Sequence, residues 1–168
     1  MCMSVKEILS YPDNRLKRKS SAVTEFDEDL HLLIESMFET MYQAKGIGLA
    51  APQVNVHKNL VVMDLSEERD GGICLLNPEI VHFEGEIESE EGCLSVPDTN
   101  ETVLRAEKIR VEAVDREGKP LEMEADGLLA ICIQHEIDHL NGRLFIDYLS
   151  NMKRLRIRKR IEKEMRQA

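Results

Sequence analysis

Apolar residues recur at helical spacing in the segment from Asp27 to Ala44. They fall three or four positions apart and form one stripe along a helix, at Leu30, Leu33, Ile34, Met37, Phe38 and Met41. This spacing predicts an amphipathic helix with one face against the core. Gly46 and Gly48 follow directly and are expected to end it.

Short apolar runs and alternating segments predict strands in the middle of the chain. Leu60–Leu65 is a candidate buried strand, and Ile73–Phe83 is a strand with an interruption at Asn77-Pro78, because proline cannot donate to a strand ladder. Lys108–Asp115 and Leu121–Ala125, separated by the turn sequence REGKP, predict a hairpin.

Two segments rich in glycine and proline are predicted to be loops. GIGLAAPQV covers Gly46 to Val54, and EEGCLSVP covers Glu90 to Pro97. Small residues and prolines favour tight, closely packed connections over regular structure.

A second helix is expected to begin at Asp126, a suitable N-cap, and to end at Asn141-Gly142. It is apolar almost all round, which predicts a buried helix. A third, basic helix is predicted over Asn151–Arg166. This order of elements predicts one α+β domain over residues 1–168, with mostly antiparallel strands around a central buried helix and a basic C-terminal helix at 150–168.

Composition is ordinary for a folded protein of this length. Of the 168 residues, 42% are hydrophobic and 32% charged, which suits one core in one domain. No apolar run approaches the ~20 residues that cross a bilayer, and the first residues lack the apolar stretch of a signal peptide. The expected location is therefore the cytosol, with no membrane partner.

Charge is unevenly distributed. The net charge of −10 argues against nucleic acid as the main partner of the whole surface. From Ser150 onward, however, the chain has eight Lys or Arg and only two Glu. In a reducing cytosol the widely spaced cysteines are expected to be free thiols or metal ligands, at Cys2, Cys74, Cys93 and Cys132.

The sequence CIQHEIDHLNG places His135 and His139 four positions apart, with Glu136 directly after the first histidine. On a helix the two imidazoles lie on one face and can reach the same ion, while the glutamate is placed to act as a base without ligating. Chance could also produce such a pattern on a polar face. The helix is expected to be buried, however, and buried polar groups need partners, which a metal supplies.

A catalytic metal site needs a third protein ligand and an open position. Cys132 lies one turn before His135, but it is seven residues from His139, roughly 10 Å of helix rise, which is awkward for one tight shell. Cys93 lies in a segment free to fold over the helix and is the favoured ligand. Two imidazoles and a thiolate suit Zn(II), Fe(II), Co(II) or Ni(II), and spacing alone does not choose among them.

Three segments of the chain resemble, in the same order, the three motifs of the peptide deformylase family: GIGLAAPQV, EEGCLSVP and QHEIDHLNG. The resemblance extends over essentially the whole chain. It implies a hydrolase that removes the N-formyl group from formyl-methionyl nascent chains and releases formate. It also implies Cys93, His135 and His139 as metal ligands and Glu136 as general base and acid. The native metal implied is Fe(II), with Zn(II), Ni(II) or Co(II) found in preparations.

The resemblance implies further roles around the metal. The Gln53 side-chain amide and the Leu94 backbone N–H would donate to the oxyanion, and the main chain around Ile47, Gly48 and Gly92 would pair with an extended peptide. The methionine pocket would be lined by Ile47, Leu128, Ile131 and Cys132. Core packing is the ordinary alternative for these apolar side chains.

Some positions depart from the family pattern. Asn100 stands where some relatives have arginine, and Ser89 where some have an apolar residue, which affects how the far end of the peptide is held. The resemblance implies that Arg105 pairs with Glu91.

The basic C-terminal helix has two interpretations. It is either a plain solvated helix packed on the body through a few apolar residues or, as the resemblance to bacterial deformylases with a long C-terminal helix implies, a transient contact to ribosomal RNA near the nascent-chain exit. The protein is expected to be a monomer.

Three other functions are compatible with parts of the pattern. A zinc endopeptidase would share the helix motif, but a cysteine as third ligand and the GIGLAAPQV segment argue against it. A non-catalytic module with a structural metal would need a fourth ligand, and none is evident. A divergent deformylase with altered substrate is suggested by the segment from Asp98 to Arg105.

Overall fold

The computed structural model describes residues 4–168, so Cys2 lies outside the described residues. Within residues 4–168, three α-helices and seven strands carry the fold. The helices are α1 (Glu28–Gln43), α2 (Gly127–Leu140) and α3 (Asn151–Gln167). The strands are β1 (Gly48–Ala50), β2 (Leu60–Met63), β3 (Ile73–Glu84), β4 (Ile87–Cys93), β5 (Val96–Arg105), β6 (Lys108–Val114) and β7 (Pro120–Asp126).

A five-stranded antiparallel sheet has the order β1-β2-β3-β6-β7 and is covered by a helix on each face. Leu60 and Val62 of β2 pack in the core with α1, whereas Val61 and Met63 pack in the core with α2. Successive side chains of a strand point to opposite faces, so a strand covered on both sides is apolar throughout. The α+β fold with a buried HExxH helix and a C-terminal helix is confirmed.

A separate two-stranded sheet, β4-β5, contacts α2 through the side chains of Glu91, Cys93 and Arg105. A third, small core joins it to the C-terminal part of the chain through Val96 and Val103 of β5, Phe145, and Ile157 and Ile161 of α3. The hairpin that carries Cys93 is thereby held between α2 and α3.

The predicted helices are present, with small shifts at their ends. Asp27 caps α1 by accepting from the Leu30 N–H at 3.0 Å. Asp126 is the N-cap residue of α2, but its side chain makes no capping hydrogen bond. The interruption predicted at Asn77-Pro78 is a register shift between β3 and β6, where Asn77 has a positive φ of 52° and β3 continues.

Both segments predicted to be loops contain regular structure, so that prediction was wrong. Gly46–Val54 contains β1 and a 3-10 helix (Ala51–Val54), and Glu90–Pro97 contains the end of β4 and the start of β5. Glycine and proline weigh against strands in a local reading, but pairing of β1 with β2, and of β4 with β5, outweighs that preference. Within residues 4–168, no helix is both long and apolar enough to span a bilayer.

Candidate metal centre

One face of α2 carries the chemistry of the site. Cys132, His135, Glu136 and His139 follow the i, i+3, i+4, i+7 pattern and share this face. Glu136 and His139 are almost completely buried, with exposures of 3% and 1%. The face is therefore a polar strip inside a helix that is otherwise packed in an apolar core.

The tip of the β4-β5 hairpin brings a cysteine to this strip. A register shift lies between Glu91 and Cys93, and Cys93 then pairs with Val96 across a turn formed by Leu94 and Ser95. Such bulges bend a strand and redirect a side chain next to a site. The Cys93 Sγ consequently lies 3.3 Å from His139 Nε2.

Cys93, His135 and His139 form a group whose ligand atoms all lie within 4.8 Å of one another. Of the two cysteines considered from the sequence, the structure brings Cys93 into this group. Cys132 lies on the wall of the cleft beside Gly48, and burial raises the pKa of its thiol. One thiolate and two imidazoles facing a common point are a suitable donor set for a single divalent transition metal.

A chain of charged contacts orients His135 from behind. His135 Nδ1 lies 2.9 Å from Glu91 Oε1, which leaves Nε2 for the centre. Both Glu91 oxygens accept from Arg105, at 2.8 and 2.7 Å, and Arg105 also donates to Asp138 at 2.6 Å. The pairing of Arg105 with Glu91 expected from the sequence is present. A carboxylate that fixes the ring of a metal-binding histidine is a common feature of such sites.

The charge states of Glu91 and His139 follow from their surroundings. Although burial acts against it, hydrogen bonds from Arg105 and His135 lower the pKa of Glu91 to about 2, so Glu91 stays charged. Burial lowers the pKa of His139 well below its ordinary value, and the neutral imidazole is the form that binds cations.

Two buried polar atoms of this face have no hydrogen-bond partner among residues 4–168, namely Glu136 Oε2 and His139 Nδ1. Burial also raises the pKa of Glu136 to about 7. Unpaired buried polar atoms are rare in folded proteins, and a carboxyl with a pKa near neutrality is suited to transfer protons. The side chains present therefore fit a bound divalent ion with a base beside it.

Gln53 lies in the 3-10 helix that follows β1 and is 1% exposed. Its Oε1 accepts from the Ala50 N–H at 2.9 Å, and its Nε2 donates to Ser95 Oγ at 3.0 Å. Nε2 also lies 3.6 Å from Cys93 Sγ. The sequence did not single out Ser95, because only the fold shows that its hydroxyl is buried and directed at Gln53.

A cleft of about 490 Å³ opens over this centre. All predicted site residues except His139, which is buried beneath it, line the cleft: Ile47, Gly48, Gln53, Gly92, Cys93, Leu94, Leu128, Ile131, Cys132, His135 and Glu136. Ile47 and Leu128 are 42% and 57% exposed, as apolar walls of an open cleft are. Ser89 and Asn100, the positions that depart from the family pattern, line it as well.

Gly48 lines the cleft and lies directly against α2. A Cβ at this position would lie 3.0 Å from both Cys132 Sγ and Glu136 Oε1. Any side chain would therefore crowd Glu136 and Cys132, which favours glycine at this position.

An α+β fold with a Cys/His/His group and a buried glutamate at the base of an open cleft is typical of mononuclear metalloenzymes. The family model of Polypeptide deformylase matches residues 5–155. The chain is 57% identical to a peptide deformylase from Chromobacterium violaceum, over 98% of this chain and 99% of that one. It is 56% identical to peptide deformylase 1 from Pseudomonas syringae pv. tomato, over 96% and 97% of the two chains.

Solved structures agree. A peptide deformylase from Legionella pneumophila superimposes with a TM-score of 0.93 at 52% identity, covering 97% of this chain and 96% of that one. A peptide deformylase from Ehrlichia chaffeensis in complex with actinonin has a TM-score of 0.91 at 42% identity, covering 96% and 98%. The chain belongs to the polypeptide deformylase family.

Proposed function

We propose that this protein is a metal-dependent peptide deformylase, which hydrolyses the N-formyl group of formyl-methionyl nascent chains and releases formate. The observation that carries the proposal is the convergence of Cys93, His135 and His139 at the base of one cleft, beside Glu136 and Gln53. Near-complete coverage of relatives named peptide deformylase supports the same activity.

Cys93, His135 and His139 would hold one divalent ion. When bound, this ion polarises the formyl oxygen and lowers the pKa of water in the site. Fe(II) is the native metal implied by the resemblance, and the thiolate and imidazole donors also accommodate Zn(II), Ni(II) or Co(II).

Glu136 is proposed as the proton carrier. Its buried carboxyl, with Oε2 unpaired among residues 4–168, would accept a proton from the attacking water and pass it to the departing amine. The Gln53 amide and the Leu94 N–H would donate to the oxyanion that develops during attack. The Ser95 and Ala50 contacts hold the Gln53 side chain in place for this task.

The substrate would lie extended along the cleft, paired with the main chain at Ile47, Gly48 and Gly92. Its methionine side chain would occupy an apolar pocket lined by Ile47, Leu128, Ile131 and Cys132. Ser89 and Asn100 would face the residues that follow methionine, because both line the same cleft.

The proposal is tested by formate release from formyl-Met-Ala-Ser, with unformylated and acetylated peptides as controls, using protein purified without oxygen and analysed for metal. Glu136→Gln keeps the shape of the side chain and is expected to reduce kcat at least ~10²-fold with metal still bound. Bound metal without formate release would contradict a deformylase, and cleavage of the unformylated peptide would favour an endopeptidase.

We also propose a weak contact between α3 and ribosomal RNA, and a cytoplasmic monomer acting on chains as they leave the ribosome. One face of α3 is buried through Ile157 and Ile161, whereas most of its Lys and Arg side chains are exposed to solvent. Co-sedimentation with ribosomes that disappears at raised salt would support this, since phosphate contacts are salt-sensitive. Equal recovery of a chain ending before Ser150 would contradict it.

A further inference from the structure

Arg69 lies in the turn between β2 and β3, outside the residues that line the cleft, yet its side chain reaches the edge of the cleft. Its Nη2 donates to the Gly46 carbonyl at 3.0 Å and its Nη1 donates to the Asp64 carbonyl at 3.1 Å. Arg69 itself has a φ of 58°, in the left-handed region that residues other than glycine seldom adopt. Its contacts offset the cost of that conformation.

The guanidinium is held in place by Tyr42 and Asp64. It lies 5.5 Å from the centroid of the Tyr42 ring, in a cation–π arrangement. The Tyr42 hydroxyl in turn donates to Asp64 Oδ2 at 2.6 Å, and Asp64 is fully buried. Burial and this hydrogen bond raise the pKa of Tyr42 to about 12, so the hydroxyl remains a donor.

The same cluster fixes two successive carbonyls of the cleft edge. Arg69 binds the Gly46 carbonyl, and the backbone N–H of Asp64 donates to the Ile47 carbonyl at 2.9 Å. This edge also lies against the tip of the β4-β5 hairpin. A Cβ on Gly46 would lie only 2.7 Å from Leu94 Cδ1. A shift of residues 46 and 47 would therefore change how this edge packs against the Leu94 side chain.

We propose that Arg69 is a positioning residue for substrate binding, which holds the Gly46–Gly48 edge in the conformation that pairs with the peptide backbone. The inference rests on the proposed function, since that edge is the strand to which the peptide would add. Arg69 touches neither the metal ligands nor Glu136, so its loss is expected to affect substrate binding and to leave the chemical step intact.

Arg69→Ala is expected to raise KM for formyl-Met-Ala-Ser about tenfold while kcat stays within about twofold and metal content is unchanged. Arg69→Lys keeps the charge but loses the planar fork that reaches two carbonyls, so an intermediate KM is expected. Amide hydrogen exchange at residues 46–49 should be faster in Arg69→Ala than in the unchanged protein.

Arg116→Ala is the matched control. The Arg116 guanidinium lies 5.9 Å from the Phe38 ring of the same helix and pairs with Glu35, away from the cleft. This variant removes an equivalent arginine stacked on α1, so it reports what loss of such packing does by itself. Its KM and its exchange at residues 46–49 are expected to be unchanged.

The outcomes separate the two proposals. If the protein without substitutions binds metal but releases no formate, both the proposed function and this inference are overturned. An active protein in which Arg69→Ala leaves KM and exchange unchanged would overturn the inference alone. Equal changes in Arg69→Ala and Arg116→Ala would also overturn it, since they would indicate only a general effect on stability.

Discussion

At the scale of single residues, the two buried glutamates of the metal centre differ in their hydrogen bonding. Glu91 has both oxygens occupied by Arg105 and His135, whereas Glu136 Oε2 has no partner among residues 4–168. A buried carboxylate with strong donors is held in one charge state, but an unpaired one can change its protonation. Glu91 is therefore suited to orient His135, and Glu136 is suited to exchange protons.

Ser95 is expected to act through Gln53. Ser95→Ala removes the acceptor of the Gln53 Nε2 hydrogen bond, so only the Ala50 contact still orients the amide proposed to donate to the oxyanion. We expect kcat to fall about tenfold with KM unchanged, less than the ~10²–10³ loss typical when an oxyanion donor itself is removed. Steady-state kinetics of formate release would measure this.

Ser20→Ala is the control for Ser95→Ala. Ser20 is also buried, and its hydroxyl has no partner within residues 4–168. Its removal should leave kcat unchanged. A similar loss of kcat in both variants would mean that Ser95 has no specific effect on Gln53.

At the scale of elements, the site depends on the close approach of β1 to α2 and of the β4-β5 hairpin to both. β1 approaches α2 at Gly48, and the hairpin tip approaches the β1 edge at Gly46. Both contacts involve glycine, but the atoms they meet differ in freedom. Gly48 meets buried atoms of α2, and Gly46 meets the end of a flexible leucine.

Gly48→Ala is therefore expected to cost more activity than Gly46→Ala. The new methyl would lie 3.0 Å from Glu136 Oε1 and Cys132 Sγ, which displaces the proposed base or the strand. We expect kcat/KM to fall ~10–100-fold for Gly48→Ala, since small displacements of catalytic groups have effects of this size. Gly46→Ala should lose only a few-fold, roughly, because Leu94 can change rotamer. Equal losses in both variants would contradict this reasoning.

The docking of α3 gives a second prediction for an element. Ile161 is 1% exposed in the small core that α3 shares with β5, whereas Met165 is 58% exposed. Ile161→Ala should lower the free energy of unfolding by about 2–5 kcal/mol. Met165→Ala should change it by less than about 0.5 kcal/mol. Urea unfolding of both variants would test this, and equal stability would mean that α3 is not docked as described.

At the scale of the whole molecule, the centre joins parts of the chain that are distant in sequence. Cys93 comes from the hairpin, and His135 and His139 come from α2. A metal that binds all three favours the folded state, because the unfolded chain does not hold them together.

Removal of the metal should therefore lower thermal stability. Metal at 100 times its Kd adds ~2.7 kcal/mol, and a chain of this length loses roughly 2–4 °C of Tm per kcal/mol, so chelation should lower Tm by about 5–10 °C. Calorimetry with and without a chelator would measure the shift. His139→Ala should be insensitive to the chelator, and an equal shift in that variant would contradict the assigned ligands.

Local spacing was enough to predict the helices and most strands. The stripe from Leu30 to Met41 and the alternation in Leu121–Ala125 repeat the period of their own element, so no distant residue is needed to interpret them. β1, β4 and β5 could not be obtained in this way. Their stability comes from partners elsewhere, such as the pairing of Gly48 with Met63, and local glycine and proline content obscures it.

The sequence alone determined that His135, Glu136 and His139 share one face, since residues three and four apart on a helix are neighbours. It also carried the three motifs of the peptide deformylase family, and the match of the family model over residues 5–155 confirms that resemblance. Only the tertiary structure showed that Ser95 holds Gln53 and that Arg69 reaches Gly46. It also brought Cys93, the ligand already favoured from the sequence, to the two histidines. These contacts depend on how hairpin, sheet and helix are packed, and no periodicity within one segment encodes a distance between two segments.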